Sequence, residues 1–126
     1  MCNLYRRSKM PQEVASWFDA VNDIGGANFG EEVYPGYPGA VIAEGKLTTM
    51  SWGFPLQRTG VKGQPLKPKP VNNARTDKLK AFFWRDSFET RRCVIPLTAW
   101  AEAEGPKGAK TRSWLSIPDA GMFAAA

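Results

Sequence analysis

The sequence predicts an α+β domain in which strands outnumber helices. Three observations lead there. Only two segments repeat apolar residues at helical spacing, whereas several short apolar runs are bounded by Gly, Pro or Asn. The spacing between those runs is too short for a helix after each strand, so a regular βα alternation is not expected. With 126 residues, 43% of them hydrophobic, the chain has enough apolar material for one buried core.

The elements follow in order. Residues 11–21 are expected to form a helix: Pro11 suits a first turn, and Val14, Trp17, Phe18 and Val21 recur on one face. Gly25-Gly26 ends it. Residues 33–39, VYPGYPG, carry too many Pro and Gly for a regular element. Residues 40–43 and 47–52 read as two strands joined by a tight turn at Glu44-Gly45. Residues 54–70 read as a loop with Arg58, Lys62, Lys67 and Lys69 and no acidic residue. Thr76 is expected to cap a second helix over residues 77–85, with Leu79, Phe82 and Phe83 facing inward.

Strands then follow at residues 93–95, 100–103, 112–117 and from Met122 onward, with Gly105-Pro106-Lys107-Gly108 as a turn. Met122-Phe123-Ala124-Ala125-Ala126, after a turn-like Pro118-Asp119-Ala120-Gly121, reads as a strand cut short. Residues 1–126 are therefore expected to be the N-terminal portion of one longer domain.

Composition narrows the function classes. No stretch approaches the roughly 18 apolar residues of a membrane span, and MCNLYRRSKM has no apolar signal region, so a cytoplasmic location is expected. Two cysteines and no histidine make a zinc site or a disulfide framework a poor fit, and neither a metal nor a cofactor is expected. The net charge of +5 permits a polyanionic partner without demanding one. Nothing demands more than a monomer.

Cys2 carries the most distinctive chemistry. Loss of Met1 would leave a free α-amine and a thiol on adjacent carbons, both partly nucleophilic near neutral pH. An aldehyde can form a Schiff base with that amine, and the thiol can close a five-membered thiazolidine. An internal cysteine lacks the amine. Other segments supply complementary groups. Asn72-Asn73-Ala74-Arg75 offers amides and an anion-binding guanidinium. In Trp100-Ala101-Glu102-Ala103-Glu104, strand alternation puts Trp100, Glu102 and Glu104 on one face, where Glu102 is either a solvent-facing strand residue or, partly desolvated beside the indole, one suited to proton transfer. Trp52 and Pro55 of Ser51-Trp52-Gly53-Phe54-Pro55 lie beside the basic loop, an arrangement that suits single-stranded nucleic acid, although such aromatics belong more often to a core. Cys93, in a strand, reads as a small core residue.

Taken in order, the initial Met-Cys, WGFP, NNARTDKL and RRCVIPLTAWAEAEGPKG resemble the SOS-response-associated peptidase family from Cys2 to the last residue. The resemblance implies a mostly antiparallel, barrel-like sheet core with a few flanking helices. It also implies a partner, single-stranded DNA or DNA junctions containing abasic sites, whose ring-opened aldehyde is captured covalently as a thiazolidine. Cys2 would be the nucleophile, Asn73 would position it, and Glu102 would shuttle protons. Arg75 would hold a phosphate beside the lesion, with Trp52, Pro55 and Arg92 contributing to the DNA surface. The chain departs from the family pattern in two places. Asn3-Leu4 stands where family members often have Gly-Arg, so that an arginine contact is lost or passes to Arg6 or Arg7. The family's catalytic His is expected in a later segment.

Two other classes fit parts of the sequence. An amino-terminal-nucleophile amidotransferase also begins Met-Cys, but such enzymes use an Asn-Gly element and no Asn-Gly dipeptide occurs here. A plain basic nucleic-acid-binding module would bind with salt sensitivity and leave no covalent product.

Overall fold

A computed structural model describes residues 2–26 and 30–126; Met1, whose removal the Cys2 chemistry requires, lies outside the described residues. Leu4 and Tyr5 are apolar, buried and close to the amino terminus, and they draw the start of the chain into the interior. Strand β1 (Tyr5–Arg6) consequently sits inside a four-stranded sheet rather than at its edge. Its neighbours are β3 (Glu32–Val33) and β9 (Ala99–Glu104), both antiparallel to it, and β10 (Thr111–Leu115) pairs with the far side of β9.

A second sheet holds β2 (Val21–Asn22), β5 (Lys46–Ser51) and β4 (Pro38–Ala43), in that order. The β4–β5 hairpin turns at Glu44 (φ 52°) and Gly45 (φ 74°), the two positive-φ positions that a two-residue turn needs to match strand twist. The two sheets meet where the Tyr5 phenol lies over Gly39; a Cβ at that glycine would collide with the phenol oxygen. Two further pairs complete the strands: β6 (Phe54–Thr59) with β7 (Pro65–Val71), and β8 (Ile95–Leu97) with β11 (Phe123–Ala125).

The core divides in two. Val14, Ala15, Ile24, Ala40, Leu47 and Met122 cluster between helix α1 (Pro11–Trp17) and the β2-β5-β4 sheet. Tyr5, Val33 and Leu97 form the other cluster, flanked by Trp52, Ile95, Trp100 and Phe123. Trp52 meets Tyr5 edge to face at 4.9 Å, and Trp100 meets Phe123 at 5.5 Å.

The α+β class and the mostly antiparallel pairing agree with expectation, and the Glu44-Gly45 turn falls where the sequence puts it. The sheet, however, does not close into a barrel: the described strands lie in four separate sheets. Closure requires continuous pairing around the ring, and among the described residues β3 and β10 end the largest sheet without further partners. Three local expectations also change. Helix α1 stops at Trp17 because the chain turns at Asp19 (φ 49°) and Val21 pairs with Lys46, leaving Trp17 and Val21 exposed. Residues 54–70 are a hairpin rather than a loop. Residues 76–78 form only a 3₁₀ turn, and helix α2 runs from Phe82 to Thr90 with Phe82 exposed rather than inward. No helix is long and apolar enough to cross a membrane among the described residues.

Candidate functional site

The sheet determines what surrounds Cys2. Tyr5 pairs with Trp100, and the Ala101 N–H donates to the Leu4 carbonyl at 2.9 Å. Carrying that antiparallel register back along the chain sets Asn3 opposite Glu102, one residue from Cys2. The charge of Glu102 acts on the Cys2 thiol, and so does its surroundings: burial, foremost, pushes the thiol above its ordinary pKa, the Leu4 backbone contact opposes this, and Glu102 adds to the rise. The Cys2 Sγ lies 3.5 Å from the Leu4 carbonyl.

A second segment closes over Cys2 from the other side. Strand β7 ends at Val71, and the next two residues turn both their amides onto one acceptor. The Asn72 Nδ2 donates to the Cys2 carbonyl at 2.7 Å and the Asn73 Nδ2 donates to it at 2.9 Å. A carbonyl oxygen has two lone pairs, so both amides can be accommodated in full. Asn72 also approaches the Asn3 side-chain oxygen at 3.5 Å. The backbone of Cys2 is thereby fixed between a sheet and a two-amide clamp, with the thiol half-buried and within the field of the Glu102 charge.

The structure thus brings Cys2, Asn73 and Glu102 together. Asn72, which the sequence reading treated only as part of a polar run, joins them; the doubled Asn-Asn was the available signal. Glu102 also lines a cavity of about 350 Å³ with Asn3, Tyr34, Lys110 and Arg112, open beside the cradle. Among the described residues no group of three or more His, Cys, Asp or Glu side chains is arranged to hold a metal ion.

The other expected residues are distributed differently. Arg75 is largely exposed two residues beyond Asn73, and its Nε and Nη2 donate to the two Asp77 carboxylate oxygens at 2.9 and 3.2 Å. Trp52 is half-buried under the sheet as a neighbour of Tyr5, which favours its core role. Pro55 is exposed on β6. Arg92 stacks over Phe88 at 4.8 Å, and its charge acts on Cys93. Cys93 itself is half-buried, its thiol pushed up by that burial.

Both arginines that follow Leu4 have partners within the chain. Arg6 is held by Glu32 at 2.7 Å and lies over Trp114, while Arg7 is buried and donates to the Lys9 carbonyl. Tyr5 is a further titratable group in this region: its phenol is pushed up to about 12, mainly by burial, with Cys93 and Cys2 adding to the rise and Arg7 opposing it.

Comparison with known proteins adds two findings. A family model described as SOS response associated peptidase (SRAP) matches residues 1–126. A crystal structure of a protein from Bacteroides thetaiotaomicron superposes with a TM-score of 0.75 at 17% sequence identity, over 98% of this chain and 57% of that one. That likeness is one of fold, and this chain spans little more than half the length of that protein. No curated protein matches the chain.

Proposed function

This chain belongs to the SOS response associated peptidase (SRAP) family, named for the response to DNA damage, and we propose that it captures the aldehyde of an abasic site in single-stranded DNA through Cys2. The observation that carries this reading is the two-amide clamp on the Cys2 carbonyl with a carboxylate acting on the same residue's thiol. A cysteine serving only as packing needs neither.

The chemistry follows from the groups present. With Met1 removed, the neutral α-amine of Cys2 adds to the aldehyde carbon and gives a carbinolamine. Glu102 takes the proton released by the amine and returns it to the hydroxyl, which leaves as water, and a C=N bond forms. The Cys2 sulfur then adds to that carbon while its proton passes to nitrogen, closing the thiazolidine. One water is lost overall and nothing is oxidised or reduced. The clamp contributes by holding amine and thiol in one geometry, so that ring closure is intramolecular and entropically favoured. Burial disfavours the thiolate form of Cys2, which accords with addition of the amine before the sulfur.

Arg75 is assigned to a phosphate next to the lesion, and Pro55, Arg92 and the exposed edge of Trp52 to the strand beyond it. The test uses a uracil-containing single strand treated with uracil glycosylase. The wild-type chain is expected to give an adduct that survives denaturation, with an intact mass equal to protein without Met1 plus DNA minus one water. Cys2→Ala is expected to give none. Absence of an adduct with wild type, or an equal yield with Cys2→Ala, overturns the reading. Glu102→Gln should slow adduct formation by about 100-fold or more while DNA affinity stays within about two-fold.

A further inference from the structure

The β6–β7 ribbon carries chemistry that the capture site does not use. Among the described residues its two strands pair only with each other, and every residue of β6 is exposed. Arg58, Lys62, Lys67 and Lys69 lie on it, all exposed, and no acidic residue occurs between Phe54 and Arg75. Elsewhere Arg6, Lys9, Lys46, Arg75 and Arg91 each meet a carboxylate; among the described residues these four cations meet none.

A two-stranded ribbon is marginal by itself, and this one is anchored only at its base. The Phe54 ring packs edge to face on Trp84 of α2 at 5.0 Å, and Pro70 sits against Gly53. The register shift between Leu56 and Arg58 matters for the charges. Leu56 is opposite Lys69 and Arg58 opposite Leu66, so Arg58 and Lys69 share a face. Lys67 instead lines a cavity of about 480 Å³ with Pro55, Pro70 and Tyr37. Tyr37 is 62% exposed there and meets Tyr34 edge to face at 6.0 Å.

The ribbon is also continuous with the cradle: it begins at Phe54, two residues after Trp52, and ends at Val71, directly before the Asn72 that holds Cys2. Strand β7 spans roughly 23 Å at about 3.3 Å per residue, the reach of a few extended nucleotides. We propose that the β6–β7 ribbon is an arm for the single strand flanking the captured nucleotide, taking phosphates on Arg58, Lys62, Lys67 and Lys69 and a base on Tyr37. This rests on the reading of Cys2 as the site of aldehyde capture, because that reading is what brings a strand to the base of the ribbon. An acidic peptide would satisfy the cations but has no use for an exposed ring beside Lys67, which is why a nucleic acid strand is the fitting partner.

The experiment compares the full chain with a variant carrying Arg58→Ala, Lys62→Ala, Lys67→Ala and Lys69→Ala together. Binding of intact, lesion-free single strands of about 6 and about 16 nucleotides is followed by fluorescence anisotropy over a salt series. Wild type should bind the longer strand at least ten-fold more tightly. The variant should lose that gain, and its log–log salt slope should fall by about 2 to 3, near 0.7 per lost phosphate contact. Tyr37→Ala should weaken binding about five-fold or more with the salt slope unchanged. An unchanged slope and affinity in the four-residue variant, with Tm equal to wild type, overturns the arm. Equal binding of poly-glutamate overturns the assignment to a nucleic acid strand. If ribbon-dependent binding is present but no adduct forms on a glycosylase-treated strand, the ribbon's binding of single strands stands, while the capture reading and the arm's place beside a captured nucleotide fall.

Discussion

The Val71–Asn72 peptide bond separates two regions built on opposite principles. On one side Asn72, Asn73 and β1 hold Cys2 by hydrogen bonds against buried Leu4 and Tyr5. On the other the β6–β7 ribbon stands in solvent, held at its base and bearing cations without carboxylate partners among the described residues. Aligning two nucleophilic atoms requires few conformations, and burial with satisfied polar groups provides that. Attracting a polyanion requires charges that keep their field and can follow a flexible strand, which burial would defeat. On the proposed reading, positioning and attraction fall to different segments that adjoin at the Val71–Asn72 bond.

The sharpest way to break that division is to make the same substitution on each side. Leu97 is 5% exposed and packs with Tyr5 and Val33 beneath the cradle; Leu56 is 40% exposed on the ribbon. Leu97→Ala should cost about 2–5 kcal/mol of folding stability through lost burial and a residual cavity. Leu56→Ala should cost no more than about 0.5 kcal/mol. Denaturant midpoints at equal m-value read both. Similar losses would mean that the ribbon is packed as a structural element and the contrast is false.

A smaller effect separates the two amides of the cradle. Each donates to the same carbonyl, so either alone leaves the acceptor partnered. Asn72→Ala and Asn73→Ala should each slow capture about three-fold at saturating DNA, within the usual net worth of one hydrogen bond. The double variant should lose about 30-fold or more, exceeding the product of the singles because the carbonyl is then unpartnered. Single-turnover rates against DNA concentration distinguish this from weakened binding. Single losses as deep as the double would mean that only one amide matters. As a control, iodoacetamide labelling of Cys2 should keep rising above pH 9 in all three proteins. Its thiol is raised chiefly by burial, so the reactive thiolate accumulates later than in an exposed cysteine.

Much of this was legible in the sequence, and the misses have physical causes. Glu44-Gly45 was readable because a two-residue turn needs residues that tolerate positive φ. The ribbon was not, because Pro55, Pro65, Pro68 and Pro70 argue against a strand; it exists as an isolated pair, where prolines need not donate to a central ladder. Helix α1 was overextended because Val21 continues a helical period, yet pairing with Lys46 decides its conformation. At the site, Cys2 and Glu102 follow from position and strand alternation, whereas the shared use of the Cys2 carbonyl by Asn72 and Asn73 depends on where β7 ends in space. Trp52 shows the reverse. Local sequence permits a core or a surface role for it, and its contact with Tyr5 draws it to the core.

The smallest effect concerns Arg75, which belongs to neither region cleanly. It follows the cradle by two residues yet is 80% exposed, and unlike the ribbon cations it is already bound, by both oxygens of Asp77. To take a phosphate with the same Nε and Nη2 it must exchange one anion for another. An exposed pair of this kind is worth about 0.2–1 kcal/mol, so the exchange costs at most about five-fold in affinity. Asp77→Asn should therefore tighten single-strand binding about two- to five-fold at low salt, and the gain should vanish as salt screens the site. Removing a carboxylate also raises the net charge, which by itself favours any polyanion. Asp77→Asn in an Arg75→Ala background isolates that contribution. If the gain persists there, the effect is general charge and Arg75 is not the phosphate ligand. If it disappears, Asp77 is a competitor for a guanidinium that the DNA strand engages.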